Sequence, residues 1–221
     1  MNRFISFIVV LLCSVSAYSQ ECTTTWPYLY PAFQDATIYT ADGKTLRNKV
    51  NVHVRKSTLH YLDGDLIKEA KSEDMLLVTI GDDQYMCVNG QLMKVLGSDK
   101  TGFVATLILA DFNKLSEPGG AYGSSSNSSA TRKLTSLETD NAGKMNHMEL
   151  WNNKNNGTTL ALNYKYYIVT DGTVYEATRK GIGSKLSKTD NEKFKVFLKT
   201  NKIEWKNPES LLKLLDFLNK N

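Results

Sequence analysis

The chain has 221 residues, of which 41% are hydrophobic and 23% are charged, and its formal net charge is +4. This length suits one sizeable domain or two small ones, and the hydrophobic share excludes a chain that is disordered throughout. The charge is uneven, since residues 20–118 carry 10 basic and 13 acidic side chains and residues 119–221 carry 16 and 10. Lysines on helix surfaces are an ordinary source of solubility, so we expect no nucleic-acid partner.

The first 19 residues have the pattern of a signal peptide. Arg3 supplies a positive start, and Phe4–Cys13 form an apolar segment that is too short to span a bilayer. The sequence Ala17-Tyr18-Ser19 then places small residues before an expected cleavage site at Gln20. We therefore expect an exported protein, periplasmic or extracellular, with no transmembrane segment in the mature chain.

Two cysteines, Cys22 and Cys87, remain after this cleavage. Exported compartments are oxidising, and a disulfide between them would close a long loop and contribute about 4 kcal/mol in the chain-entropy model. The alternative is a buried Cys87 thiol and a free Cys22 at the surface. Because Cys22 follows Glu21 and not a small residue, we do not expect a lipoprotein.

Residues 23–33 form a lead-in that is rich in aromatic side chains, among them Trp26, Tyr28 and Tyr30. Two prolines keep this segment extended or turning. The rings either form a stacking platform for a sugar or aromatic ligand, or cover an open face of the β-domain that follows. The first interpretation makes these three residues candidate ligand-binding residues, together with Tyr122. We favour the second, because small domains need the large apolar area that aromatic rings bury.

Residues 36–109 alternate between short apolar-patterned segments and turn dipeptides, which is typical of an antiparallel β-meander. The turns are Asp42-Gly43, Asp63-Gly64, Gly81-Asp82-Asp83 and Asn89-Gly90. A type I′ turn at Asn89-Gly90 pairs Cys87 with Leu92. Gly102–Leu109 is predicted to be a long central or closing strand. About seven or eight short strands with such turns predict a small barrel or a strongly curled sheet.

Two histidines in the meander form a candidate metal site. Val50, Val52 and Val54 alternate with polar residues, which predicts an apolar inner face and an outer face that carries His53. A short connection at Lys56-Ser57 then places His53 opposite His60, outside the core, with Cβ atoms about 5 Å apart.

Two neutral imidazoles at that distance are able to hold a divalent metal, with Asp63 or Asp65 as a third ligand. They are equally able to respond to pH, or to be two ordinary surface histidines. No other cofactor is indicated by the sequence.

The composition changes after the meander. Residues 20–115 form the predicted β-domain, the Gly/Ser-rich residues 116–131 are a loop or linker, and residues 132–221 are an α+β region. There, Thr159–Ala177 has the pattern of a hairpin that turns at Asp171-Gly172. Helical patterns follow, with Asp190 and Asn207 as predicted N-caps. The fold class is therefore α+β and dominated by β-structure, with a hairpin and C-terminal helices after the meander.

Three segments resemble a family of exported cell-envelope proteins from Bacteroidota. They are Trp26-Pro27-Tyr28-Leu29-Tyr30, Leu59-His60-Tyr61-Leu62-Asp63-Gly64 and Gly120-Ala121-Tyr122-Gly123-Ser124. The resemblance spans most of the mature chain. It implies a location in the cell envelope, and it assigns no activity and no catalytic residue.

The sequence contains no Gly-x-Ser-x-Gly, His-Glu-x-x-His, P-loop or Cys-x-x-Cys motif. We therefore predict an exported, non-catalytic binding or scaffold module, with an envelope protein or a glycan as its partner. Two alternatives remain open. One is a hydrolase that uses His53 or His60 with a side chain from the Gly119–Ser129 loop. The other is a structural subunit of an outer-membrane assembly.

Overall fold

The computed structural model describes residues 23–25, 27–111 and 159–220. Within these ranges, eleven strands form one antiparallel sheet. The strands are β1 Thr23–Thr25, β2 Gln34–Thr40, β3 Thr45–His53, β4 Thr58–Asp63, β5 Leu66–Glu69, β6 Met75–Ile80, β7 Asp83–Val88, β8 Gln91–Ser98, β9 Gly102–Ala110, β10 Thr159–Thr170 and β11 Thr173–Glu176. A short 3-10 helix, Ser72–Asp74, precedes β6.

The strand order is β1-β10-β9-β8-β7-β6-β2-β3-β4-β5, and β11 also pairs with β10. The predicted class, α+β with a dominant β-meander, is confirmed. Of the two predicted shapes, the structure has the curled sheet and not the barrel, because β1 and β5 end the described sheet without pairing to each other.

The curl brings the turn between β3 and β4 onto strands β8 and β9. Leu92 N–H donates to the Ser57 carbonyl at 2.7 Å, and Ala110 N–H donates to the Val54 carbonyl at 2.8 Å. The Ser57 hydroxyl donates to the Leu92 carbonyl at 2.7 Å. These bonds close the concave face around a core of ten buried side chains. They are Ala36, Ile38, Val50, Val52, Leu59, Met75, Val78, Ile80, Tyr85 and Leu92.

The strongest turn predictions hold. Asn89 and Gly90 have φ of 51° and 78°, and the strands that they join pair Cys87 with Leu92 as expected. The predicted second hairpin also forms, with Asp171 and Gly172 at its turn. Its first strand, β10, pairs with β9 from Leu162 to Thr170, so the β-regions before and after residues 112–158 belong to one sheet.

Three helices follow the sheet: α1 Arg179–Gly183, α2 Lys188–Thr200 and α3 Pro208–Asn219. Asn207 caps α3 as predicted, and its side chain accepts from the Ser210 N–H. The cap of α2 was predicted one turn too late. Ser187 is the cap, and its hydroxyl accepts from the Asp190 N–H, so Asp190 lies inside the first turn.

The helices pack on one end of the concave face of the sheet. Helix α3 contacts β8, β9 and β10 through its buried leucines, Leu211, Leu214 and Leu215. Val104 and Ile168 supply the sheet side of this second core, and Phe194 comes from α2. No described helix is both long and apolar enough to cross a membrane.

Candidate ligand-binding cleft and the buried histidine pair

Residues 27–33 of the lead-in lie along β3, where the Asn51 side chain binds them. Leu29 N–H donates to the Val52 carbonyl at 2.9 Å, and Tyr28 and His53 form a β-bridge. Between this bridge and the start of β2, the lead-in bulges away from β3. The Asn51 side chain fills the gap, because it accepts from Tyr30 N–H at 3.0 Å and donates to the carbonyls of Tyr30 and Ala32 at 2.8 and 3.1 Å. Asn51 is fully buried, and its amide supplies the hydrogen bonds that a paired strand would otherwise give to the backbone of this segment.

The two histidines meet, but in a different register from the one predicted. His60 lies opposite Asn51, and His53 lies opposite Thr58. The turn begins earlier than expected because the backbone of Val54 is used elsewhere. Its N–H donates to the Pro27 carbonyl, and its carbonyl accepts from Ala110 N–H. The imidazoles are therefore diagonal neighbours, and they stack with ring centroids 4.8 Å apart and an interplanar angle of 6°.

The prediction that these imidazoles lie outside the core was wrong. His53 and His60 are only 5% and 2% exposed. The three valines do face the core, at 0–1% exposure, but the opposite face is buried too. Tyr28 covers the pair edge-on, with centroids 5.8 and 5.6 Å from the two imidazoles, and Phe33 packs on Tyr28 at 5.1 Å. The aromatic lead-in thus serves in part as the cover that the second interpretation predicted.

His60 lies between a phenol and a carboxylate. The Tyr28 hydroxyl is 3.0 Å from His60 Nδ1, and Glu69 Oε2 is 3.1 Å from Nε2. An ionised carboxylate only accepts, so Nε2 carries a proton and donates to Glu69. In the neutral imidazole, Nδ1 then accepts from the Tyr28 hydroxyl. Burial raises the pKa of Tyr28, which keeps its hydroxyl protonated as that donor.

This pair is poorly arranged for a metal ion. Imidazole lone pairs lie in the ring plane, so two parallel rings 4.8 Å apart do not converge on one ion at the 2.0–2.1 Å that zinc requires. Asp63 forms an ion pair with Lys68 instead, and Asp65 is exposed in the turn. The described residues contain no group of three His, Cys, Asp or Glu side chains that could hold a metal.

The carboxylate that does reach His60 is Glu69, which the sequence analysis missed. Strand β5 returns beside β4 with Asp63 opposite Leu66, and this register sets Glu69 opposite His60. The sequence did contain a signal for this contact, because a two-residue turn at Gly64-Asp65 sets Glu69 opposite His60.

A cleft of about 370 Å³ opens on the concave face, between the meander core and the helix layer. Four of its twelve lining residues are tyrosines, and they come from the lead-in, β7 and β10. The lining residues are Leu29, Tyr30, Asp83, Tyr85, Lys94, Leu96, Thr106, Ile108, Tyr164, Tyr166, Lys206 and Pro208. Of the residues predicted to bind a ligand, Tyr30 lies here, while Tyr28 is buried over the histidines.

A polar network runs along one side of this cleft. Tyr30 donates to Asp83 Oδ2 at 2.7 Å, and Lys94 Nζ lies 2.6 Å from Asp83 Oδ1. The hydroxyls of Tyr30 and Tyr85 are 2.6 Å apart. Because Tyr30 has given its one proton to Asp83, Tyr85 is the donor in the last pair.

The network fixes the charge state of its members. Burial would raise the pKa of Asp83, but the hydrogen bonds from Lys94 and Tyr30 outweigh it and lower the pKa below its ordinary value. Burial raises the pKa of both Tyr30 and Tyr85, and the negative charge of Asp83 adds to the effect. Both phenols are therefore neutral at any physiological pH.

A second groove, of about 660 Å³, lies over β2, β3 and β6. Its residues are Asp35, Ala36, Thr37, Arg47, Asn48, Lys49, Thr79 and Gly81. It offers no aromatic surface, and its Asp35–Lys49 ion pair at 3.1 Å is solvent-exposed. The tyrosine cleft is the better candidate site, because ligand pockets combine apolar and aromatic walls with a few fixed polar groups.

Several predicted residues lie outside the described part of the chain. These are the signal peptide, Cys22, Trp26 and Tyr122, as well as the Gly119–Ser129 loop on which the hydrolase alternative depends. The Cys22–Cys87 disulfide therefore stays a prediction. Cys87 itself is half-buried on β7, and burial raises the pKa of its thiol.

The hydrolase alternative also requires a histidine that can reach a substrate. Both ring nitrogens of His60 already lie within hydrogen-bond distance of Tyr28 and Glu69, and the ring is buried. A general base must lie within hydrogen-bond reach of the proton it abstracts, so His60 is a poor base in this conformation.

Fold and site together define an open, curled β-meander with a C-terminal helix layer and a tyrosine-walled cleft between its two cores. Comparison with protein-family models, with curated proteins and with solved structures found no match in any of the three.

Proposed function

We propose that the protein is an exported, non-catalytic binding module of the cell envelope, and that a saccharide binds in the tyrosine cleft. The observation that carries this proposal is the convergence of Tyr30, Tyr85, Tyr164 and Tyr166 around one ion pair. A sugar ring has an apolar C–H face that packs on an aromatic ring, and hydroxyls that pair with fixed polar groups. The cleft volume of about 370 Å³ is within the range of small-ligand sites.

The non-catalytic part of the proposal is supported by the chemistry of the cleft. Asp83 is the one carboxylate among the described residues that line the cleft, and its oxygens contact Lys94 and Tyr30. This arrangement lowers the pKa of Asp83, whereas a general acid at neutral pH needs a raised one. The polar groups are thus suited to orienting a ligand and not to transferring a proton.

Export and envelope location are supported by the sequence. Residues 1–19 have the composition of a signal peptide, and the resemblance to exported Bacteroidota proteins points to the same compartment. Fractionation of the native cells, followed by N-terminal sequencing, tests this part. We expect an envelope protein that begins at Gln20, and a cytoplasmic protein that retains Met1 would overturn it.

Binding is tested by calorimetric titration of the mature chain with a panel of neutral and acidic oligosaccharides. We expect at least one sugar to bind and to be recovered intact. Tyr164→Ala should weaken it about tenfold, because a stacking face is lost. Tyr39→Ala is the matched control, since Tyr39 is 42% exposed on β2 and lies outside the cleft. Equal losses in the two variants, or cleavage of the sugar, would contradict the proposal.

A further inference from the structure

The charges that line the tyrosine cleft do not cancel. Among the lining residues of the described chain, the ionised side chains are Asp83, Lys94 and Lys206. Asp83 and Lys94 neutralise each other through their 2.6 Å contact. Lys206 belongs to the connection between α2 and α3, is exposed, and contributes a positive charge that this pair leaves unbalanced.

The remaining polar groups of the wall add no negative charge. The hydroxyls of Tyr30 and Tyr85 are protonated, because burial raises the pKa of both phenols. The negative charge of Asp83 is offset by the Lys94 ammonium at one oxygen, and Tyr30 donates to the other oxygen. A ligand carboxylate that enters the cleft therefore meets the Lys206 cation and a wall without net negative charge.

We propose that the cleft selects a carboxylate-bearing sugar, a hexuronic acid residue of an acidic glycan, and that Lys206 is the residue that determines this specificity. The proposal rests on the saccharide function proposed above and names its ligand class. The partly exposed Tyr30, Tyr164 and Tyr166 pack on the sugar ring, and the Lys206 ammonium pairs with the carboxylate at the rim. Charge-assisted hydrogen bonds are the strongest that such a site offers.

The test compares three probes by calorimetry on the mature chain: a hexuronate oligosaccharide, its neutral hexose counterpart, and benzoate as a carboxylate without a sugar. We expect the uronate to bind about tenfold more tightly than the neutral sugar, and this advantage to shrink as salt is raised. Lys206→Gln should abolish the difference in affinity between the two sugars. Lys202→Gln, an exposed lysine in the same connection but outside the cleft lining, should preserve it.

The outcomes separate the two proposals. If the neutral sugar binds as tightly as the uronate, or Lys202→Gln weakens uronate binding as much as Lys206→Gln, the ligand class is wrong and the saccharide function stands. If neither sugar binds, both proposals fail. If benzoate alone binds, the ligand of the cleft is an aromatic acid and not a glycan.

Discussion

At the scale of single residues, Asn51 connects the lead-in to the sheet. Its amide satisfies three backbone groups of residues 30–32 that have no strand partner opposite them, and it is fully buried. Asn51 thereby holds Tyr28 over the histidines and Tyr30 in the cleft. The sequence showed Asn51 only as a polar residue between valines, because an alternating pattern does not reveal where a ladder will be interrupted.

Asn51→Ala should destabilise the protein by about 2–4 kcal/mol, because it leaves several buried backbone groups without partners. The urea midpoint of the mature chain measures this loss. Asn48→Ala on the same strand is the matched control, since Asn48 is half-buried and its side chain, among the described residues, accepts only from the Lys49 N–H. We expect it to cost no more than about 0.5 kcal/mol, and a similar cost for both variants would contradict the role of Asn51.

The ion pair in the cleft predicts a pH dependence. The pKa of Asp83 in the folded protein lies below its ordinary value of 3.8, so the carboxylate stabilises the fold above pH 3.8. This contribution is lost as the pH falls through the lower, folded value. Urea midpoints at pH 7, 5 and 3 should show Asp83→Asn less stable than the wild type at the two higher pH values.

The difference should shrink at pH 3, which lies below the ordinary pKa of 3.8, because the carboxyl of the unfolded chain is then largely protonated. Asp82→Asn in the adjacent turn is the control, since Asp82 is exposed, and its midpoint should match the wild type. If the stability lost in Asp83→Asn grows towards pH 3, the lowered pKa of Asp83 is contradicted.

At the scale of elements, the sequence predicted what depends on local chemistry. The turns at Asn89-Gly90 and Asp171-Gly172 need positive φ, and residues that tolerate it occupy both. The shift of the β3–β4 register was not foreseeable, because it follows from the bonds of Val54 to Pro27 and Ala110, which are distant in the chain. The burial of the histidines was missed for the same reason, since it depends on how the lead-in folds back.

Two glycines of the sheet, Gly97 on β8 and Gly102 on β9, leave very different amounts of room for a side chain. A Cβ at Gly102 would lie 2.2 Å from the Val169 carbonyl oxygen on β10, whereas a Cβ at Gly97 would meet only the end of the Leu212 side chain at 3.1 Å. The Val169 backbone cannot move away from an added methyl group as easily as the end of the Leu212 side chain can. Gly102→Ala should therefore cost about 3 kcal/mol, and Gly97→Ala about 1 kcal/mol or less.

Thermal unfolding followed by circular dichroism distinguishes the two glycine variants. The expected order of midpoints is wild type, then Gly97→Ala, then Gly102→Ala well below both. Equal midpoints for the two variants would mean that β9 and β10 do not approach as closely at this point as the structure has them.

At the scale of the whole molecule, the tyrosine cleft exists only because the halves of the chain share one sheet. Tyr30 and Tyr85 come from the first half, and Tyr164 and Tyr166 come from β10, which pairs with β9. The sequence singled out Tyr30 alone. Local patterns predict strands and hairpins. The pairing of β9 with β10, which are separated by residues 111–158, depends instead on the core that they share. The convergence of the four rings therefore could not be predicted.

The central claim is that this cleft binds a saccharide, and chemical-shift mapping by NMR tests it most directly. Titration of the labelled mature chain with the acidic oligosaccharide should move the amide signals of Lys94, Thr106 and Tyr164. Signals of Arg47 and Thr79 in the groove over β2, β3 and β6 should stay in place. Shifts confined to that groove, or no shifts at millimolar sugar, would contradict the account.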